Sequence, residues 1–156
     1  MNNTLIAYYS FSGTTRKMAK AIAAATGGDI LELIPEKPYD FSYNTASKEA
    51  RNEIARGYCP KLLAGNTSIH EYDIIFVGSP NWFKSIVPPV LTFLHSHDFT
   101  DKTIVPFCTH GGGGFGEIET RVAEECNPAK TLSGLAVSGD FAPEEIVDWL
   151  KEIKLL

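Results

Sequence analysis

The sequence predicts an α/β fold: a doubly wound, five-stranded parallel sheet with helices on both faces. Three observations lead there. Short runs rich in branched and aromatic residues, Leu5 to Tyr9, Ile30 to Ile34, Ile74 to Gly78, Ile104 to Cys108 and Leu132 to Val137, are bounded by polar or glycine signals, as strands are. Between them lie segments with apolar residues at helical spacing. The runs are apolar on both faces, and such strands alternating with helices build a parallel sheet with right-handed crossovers.

In chain order, the first strand leads into a helix carrying Met18, Ile22 and Ala25, which Gly27 and Gly28 stop. After the second strand, Pro35 to Asn66 is the least regular part. Within it "TASKEARNEIARG" places Ala46, Ala50 and Ile54 on one helical face amid charged residues, predicting a surface helix flanked by long loops. Pro88 and Pro89 suit the first turn of a helix bearing Val90, Phe93 and Leu94. Pro106 is a misfit in the fourth strand because it cannot donate to a ladder, so a bulge or an unpaired position is expected there. A helix with Phe115, Ile118, Val122 and Cys126 follows. After the fifth strand, Pro143 opens the last helix, with Ile146, Val147, Leu150 and Ile153.

At 156 residues, with 44% hydrophobic and 21% charged residues, the chain reads as one globular domain over residues 1–156. No repeat or linker-like break divides it. No apolar run approaches a membrane span and the start lacks a signal pattern, so a cytoplasmic location away from membranes is expected. A net charge of -5 argues against a nucleic-acid surface. Cys59, Cys108 and Cys126 are unclustered and read as reduced thiols rather than metal ligands.

The stretch "YYSFSGTTRKMAKAIA" crowds Ser10, Ser12, Thr14 and Thr15 around Gly13 where the first strand meets the first helix. In an open α/β sheet ligands bind at this edge, and a helix start offers unpaired amides and a partial positive charge. Neutral hydroxyls beside a glycine suit a phosphate monoester. A plain helix cap would use one or two of the hydroxyls. A Walker loop would need GxxxxGK[ST], which is absent. A phosphatase loop would need a low-pKa nucleophile; Ser10 to Arg16 has the length but Ser10 lacks that chemistry.

Strand order 2-1-3-4-5 would put two unusual loops beside this one. "GSPNWFKSIVPP" exposes Trp82 and Phe83 at a strand end, where a flat aromatic ligand would cover them; the alternative has Trp82 folding back onto the core. "THGGGGFGE" satisfies GxGxxG through Gly111 to Gly116, yet no acidic residue stands some 20 positions on to hold a ribose. Its glycines fit close approach of backbone to a planar ring edge, with His110 as a loop hydrogen-bonder.

Together, "SFSGTTRKMAKAIA", "GSPNWFKSIVPPVLTFL" and "VPFCTHGGGGFGE" resemble the flavodoxin family over nearly the whole chain, with an extended loop after the second strand. The resemblance implies FMN, not FAD, because there is one phosphate cradle. It assigns Ser10, Ser12, Gly13, Thr14 and Thr15 to the FMN phosphate. Pro80, Asn81, Trp82 and Phe83 would line one side of the isoalloxazine, with Thr109, His110, Gly111, Gly112, Phe115 and Gly116 on the other side and the ring edge. No catalytic or metal-ligating residue is implied. The loop after the fourth strand lacks the tyrosine that such carriers usually place over the outer flavin face. Lys84 stands where relatives often carry glycine, which disfavours a backbone flip needing positive φ by roughly 1–2 kcal/mol.

The resemblance implies a redox protein transferring electrons between protein partners, a monomer or weak dimer. The alternative is an NAD(P)H-dependent oxidoreductase acting on quinones or nitro compounds across an uncovered ring face. A third reading is an adaptor that keeps the fold without the flavin. Glu117, Glu119, Glu124 and Glu125 would either steer a basic partner or form a solvated helix face.

Overall fold

The computed structural model describes residues 3–40, 42–63 and 67–156. Its elements run β1 (Thr4–Tyr8), α1 (Thr14–Thr26), β2 (Asp29–Glu32), α2 (Tyr43–Arg56), β3 (Ile74–Pro80), α3 (Pro88–His95), β4 (Thr103–Thr109), α4 (Ile118–Cys126), β5 (Lys130–Thr131), β6 (Leu135–Val137) and α5 (Pro143–Glu152). All pairings are parallel, in the order β2-β1-β3-β4-β5, with β6 pairing β4 further along. This is the doubly wound architecture expected.

Strand periodicity decides which core each side chain enters. Leu5, Ala7, Ile75, Val77 and Ile104 point to the face covered by α3 and α4, while Ile6, Tyr8, Phe76, Val105 and Phe107 point to the face covered by α1 and α5. On that second face Met18, Ile22, Ile146 and Leu150 are essentially inaccessible. Each such side chain contributes about 1.5–3 kcal/mol through burial. β2 departs from the expected two-sided burial: at this edge of the sheet Ile30 is 42% exposed, and Ile34, just past the strand, 41%.

The expected fifth strand, Leu132 to Val137, is two pieces. β4 pairs with β5 through Thr103 and Ile104, and with β6 through Phe107, Cys108 and Thr109, leaving Pro106 opposite the gap. The Ile104 carbonyl accepts from Leu132 on this side, so by alternation the missing Pro106 donor faces the interruption. The proline misfit in the sequence is thereby accommodated. Gly134 fills the gap: a Cβ there would stand 2.2 Å from the Pro106 carbonyl oxygen.

The surface helix read from Ala46, Ala50 and Ile54 is α2, opened by Ser42, whose hydroxyl accepts from the Thr45 amide, and closed by Gly57 at φ 64. The segment around it is tied down by a Pro35–Leu62 bridge and by Tyr39, whose hydroxyl donates to Glu53. Phe41 and the last residues of the irregular segment, 64–66, lie outside the described residues.

Candidate functional site

Three loops meet at the carboxyl edge of β1, β3 and β4. The first begins at Ser10. Gly13, at φ 101, is the N-cap of α1, and no side chain caps the helix. That φ belongs to glycine; any other residue would be strained there. The first helical hydrogen bond runs from the Lys17 amide to the Gly13 carbonyl at 3.0 Å. The amides of the preceding helical residues therefore have no partner within the helix. No acid sits in the first turn. Ser10 Oγ accepts from the Gly13 amide at 3.1 Å and braces the turn, and Ser12 Oγ lies 3.5 Å from Thr14 Oγ1. A plain side-chain cap is thus not what these hydroxyls make.

Thr15 plays a different part from its neighbours. It is buried, and its hydroxyl meets that of Thr109 at 2.7 Å, joining the start of α1 to the end of β4. Arg16 does not close the loop as a phosphatase arginine would. Its Nε donates to Glu32 at 2.6 Å, and Tyr8 donates to the same carboxylate oxygen at 2.9 Å. Burial alone would raise the Glu32 carboxyl; the hydrogen bonds from Arg16 and Tyr8 outweigh it and hold Glu32 below its ordinary range. Tyr8 in turn is pushed up to about 12, chiefly by burial and then by its bond to Glu32.

The second loop holds a surprise for sequence reasoning. Trp82, expected to face solvent, is 3% exposed. It packs edge-on against Phe11, Tyr39, Tyr9 and Tyr43, with ring centroids 5.5, 5.6, 5.9 and 6.2 Å away. The cover that the tryptophan needs comes from the first loop, from the segment before α2 and from the first residue of α2. Only the density of aromatics in "YYSF" and "YDFSY" hinted at this cluster. Phe83 is the aromatic that does stay open, 48% exposed with the Arg51 guanidinium 5.5 Å from its ring centre.

Phe83 and Lys84 lie at φ 56 and 63, and the Ser85 amide donates to the Trp82 carbonyl at 3.1 Å. This is a tight turn with two side-chain-bearing residues in the left-handed region, at a cost of order 1–3 kcal/mol each. Lys84, whose side chain disfavours positive φ, thus already adopts it in the folded chain.

The third loop is laced to the second. Asn81 donates from its amide to the Thr109 carbonyl at 2.9 Å and from Nδ2 to the Gly114 carbonyl at 2.8 Å, while its Oδ1 accepts from the Lys84 amide at 2.9 Å. The Glu117 amide donates to the Lys84 carbonyl at 2.7 Å. Gly116, at φ 55, passes so close that a Cβ would stand 2.7 Å from Lys84 Cα. His110 is a loop hydrogen-bonder: its Nδ1 accepts from the Gly112 amide at 3.0 Å. Gly111 and Gly112 are exposed, with open space where side chains would be, and Phe115 packs against the core below them. Pro80 ends β3 in register with Thr109.

Among the predicted site residues, then, Thr15, Asn81 and Thr109 are joined directly, and Trp82 is turned inward. Of the four acids after the glycine loop, Glu119 accepts from the Gly134 amide and Glu125 pairs with His95 and Arg121, so only Glu117 and Glu124 remain exposed. Among the described residues no acidic, cysteine or histidine cluster suits a metal ion, and no helix is long and apolar enough to cross a membrane. A concavity of about 580 Å³ lies at the opposite edge of the sheet beside Thr4, Gly27 and Tyr72. It contains none of the predicted residues.

An open parallel sheet with an uncapped helix start, an aromatic turn and a glycine-rich turn at its switch point defines an α/β protein of the doubly wound, crevice-binding class. The chain belongs to the flavodoxin family, whose sequence model matches residues 3–153. A predicted flavoprotein from Bacteroides eggerthii superposes with a TM-score of 0.87 at 28% identity, covering 98% of each chain. One from Bacteroides uniformis gives 0.85 at 30% identity, covering 96% of this chain and 98% of the other. A flavoprotein from Lactobacillus acidophilus in complex with FMN gives 0.79 at 25% identity, covering 97% and 99%. No match was found among curated proteins.

Proposed function

We propose that this chain binds FMN and transfers electrons between protein partners. The observation that carries the reading is the start of α1, where amides without a partner in the helix, neutral hydroxyls and a first turn free of acids fit the charge of a phosphate monoester. The FMN complex of the Lactobacillus relative supports the identity of the ligand.

In this assignment Ser12, Thr14 and the amides after Gly13 grip the phosphate. Ser10 shapes the turn, and Thr15 contributes its amide while its hydroxyl secures Thr109. Phe83, Asn81 and Pro80 face one side of the ring, with Trp82 as the rigid wall behind them. Thr109, His110, Gly111, Gly112, Phe115 and Gly116 form the other side and the edge. When bound, the flavin supplies electron transfer in one- or two-electron steps. The protein orients it, shields part of it from water and limits how far the loops relax.

The purified protein should show flavin absorbance, and stepwise reduction should resolve two separate one-electron stages. A colourless protein that fails to take up added FMN overturns the binding assignment. A single two-electron wave overturns the carrier role.

One observation favours a second reading. Gly111, Gly112 and Gly113 are exposed, and among the described residues nothing stands within 4 Å of a side chain placed at the first two, which suits access of a hydride donor to the ring. Steady-state consumption of NADPH with a quinone by the protein alone would establish that enzyme; absence of turnover removes it.

A further inference from the structure

Away from the loop edge, three elements bring a thiol, an imidazole and a carboxylate into line. Cys59 Sγ, on the chain leaving α2, lies 3.5 Å from Nδ1 of His95, the last residue of α3. Nε2 of the same ring lies 2.7 Å from Oε2 of Glu125 in the last turn of α4. The other carboxylate oxygen of Glu125 accepts from Arg121 at 3.3 Å. Thr92, one turn before His95, donates to the Pro60 carbonyl at 2.7 Å and holds the Cys59 segment against α3. Thiol and carboxylate thus approach the imidazole from its two different nitrogens. That arrangement does not suit a shared metal, but it has the order of nucleophile, base and orienting acid.

The other two cysteines provide a contrast. Cys108 and Cys126 are fully buried, and burial pushes each thiol up to about 12. Cys59 is only partly buried, and His95 is exposed, so a small reagent reaches the pair.

We propose that Cys59 is a site of reversible modification, attacking small-molecule disulfides with His95 as its base and Glu125 as the positioning residue. Glu125 accepts the Nε2 proton and so leaves Nδ1 free to take the thiol proton. Burial and the Glu125 charge keep the isolated thiol above its ordinary value. Activation therefore comes through proton transfer in the line rather than from a standing thiolate. The resulting imidazolium sits between Glu125 and the carboxyl end of α3, which both favour positive charge. The thiolate sulfur then bonds to one sulfur of the disulfide, whose S–S bond breaks. The departing thiolate takes the proton from His95. The products are a Cys59 mixed disulfide and one free thiol, with no net change in electrons.

The test uses the folded full-length protein with glutathione disulfide, or with dithiobis(nitrobenzoate) for rates, and peptide mapping of the adduct. One adduct per chain is expected, on Cys59, reversed by dithiothreitol and absent in Cys59→Ser. At pH about 7 His95→Gln should react at least about 10-fold more slowly, and Glu125→Gln should fall between. As pH rises from about 7 toward the thiol ionisation the wild-type rate should stay nearly level, whereas that of His95→Gln should climb about 10-fold per pH unit. Equal rates and equal pH slopes in wild type and His95→Gln overturn the proposal, as does an adduct only on Cys108 or Cys126, or none on the folded chain. Circular dichroism verifies the fold of each variant. If His95→Gln fails to fold, Glu125→Gln serves alone, and a wild-type rate and slope in that variant likewise overturn the proposal.

Discussion

Asn81 and Gly114 clip two loops of the site together: the Asn81 side-chain amide donates to the Gly114 carbonyl at 2.8 Å while its oxygen holds the Lys84 amide at 2.9 Å. One side chain therefore fixes both the strained turn after β3 and the glycine turn after β4. A short apolar residue at this position would release both.

Asn81→Ala should weaken FMN and riboflavin binding alike, by roughly 1–3 kcal/mol, because the loss is one of loop order rather than of phosphate contact. Flavin fluorescence titrations with the two ligands measure it. A loss confined to FMN would place Asn81 at the phosphate instead.

Thr14 and Thr15 should separate into different phenotypes. Thr15→Val leaves the buried Thr109 hydroxyl without its 2.7 Å partner and should cost about 1–3 kcal/mol of stability in the flavin-free protein, read by denaturant unfolding. Thr14→Ala should leave that stability within about 0.5 kcal/mol and lower FMN affinity, seen by calorimetry. Unchanged FMN affinity in Thr14→Ala would remove the phosphate assignment.

Trp82→Ala should destabilise the protein even without flavin, by about 3–5 kcal/mol, since four rings close around the indole and would be left lining a cavity. Phe83→Ala, at a half-exposed position, should change stability little. A mild effect at Trp82 would mean that the cluster repacks.

The Glu32 carboxyl is held below its ordinary range in the fold, so the unfolded chain protonates first as pH drops. Its contribution is complete above the unfolded value of about 4.3 and is lost as pH falls through the lower folded value. The effect should stay near 1 kcal/mol or below, because Arg16 is 43% exposed and solvent screens the pair. Melting temperatures measured from pH about 5 to 3 should fall more steeply for wild type than for Glu32→Gln. Parallel curves would show that the pair contributes nothing.

The parallel sheet and the three unusual loops at strand ends were legible in the sequence, while the strand order came with the family resemblance. Runs such as "LIAYY" and "IIFVG" have no polar face, and backbone geometry leaves few places to put such strands except between two layers of helices. Pro106 marked an unpaired position in its own strand, because a missing donor is a local covalent fact, but the break in the partner strand was not foreseen. Gly13, with its hydroxyl neighbours, marked the helix start for the same kind of reason.

Tertiary packing decided the rest. Nothing in the spacing of Trp82 tells that Phe11, Tyr9, Tyr39 and Tyr43 converge on it, since those rings come from two separate stretches and meet only once the segment before α2 folds across. The left-handed Lys84 likewise runs against its own preference and is held by the hydrogen bond its amide donates to Asn81 and the one its carbonyl accepts from Glu117. The line of Cys59, His95 and Glu125 joins residues 36 and 30 positions apart. Local chemistry sets strands, caps and turns, whereas contacts between distant residues depend on where whole elements come to rest.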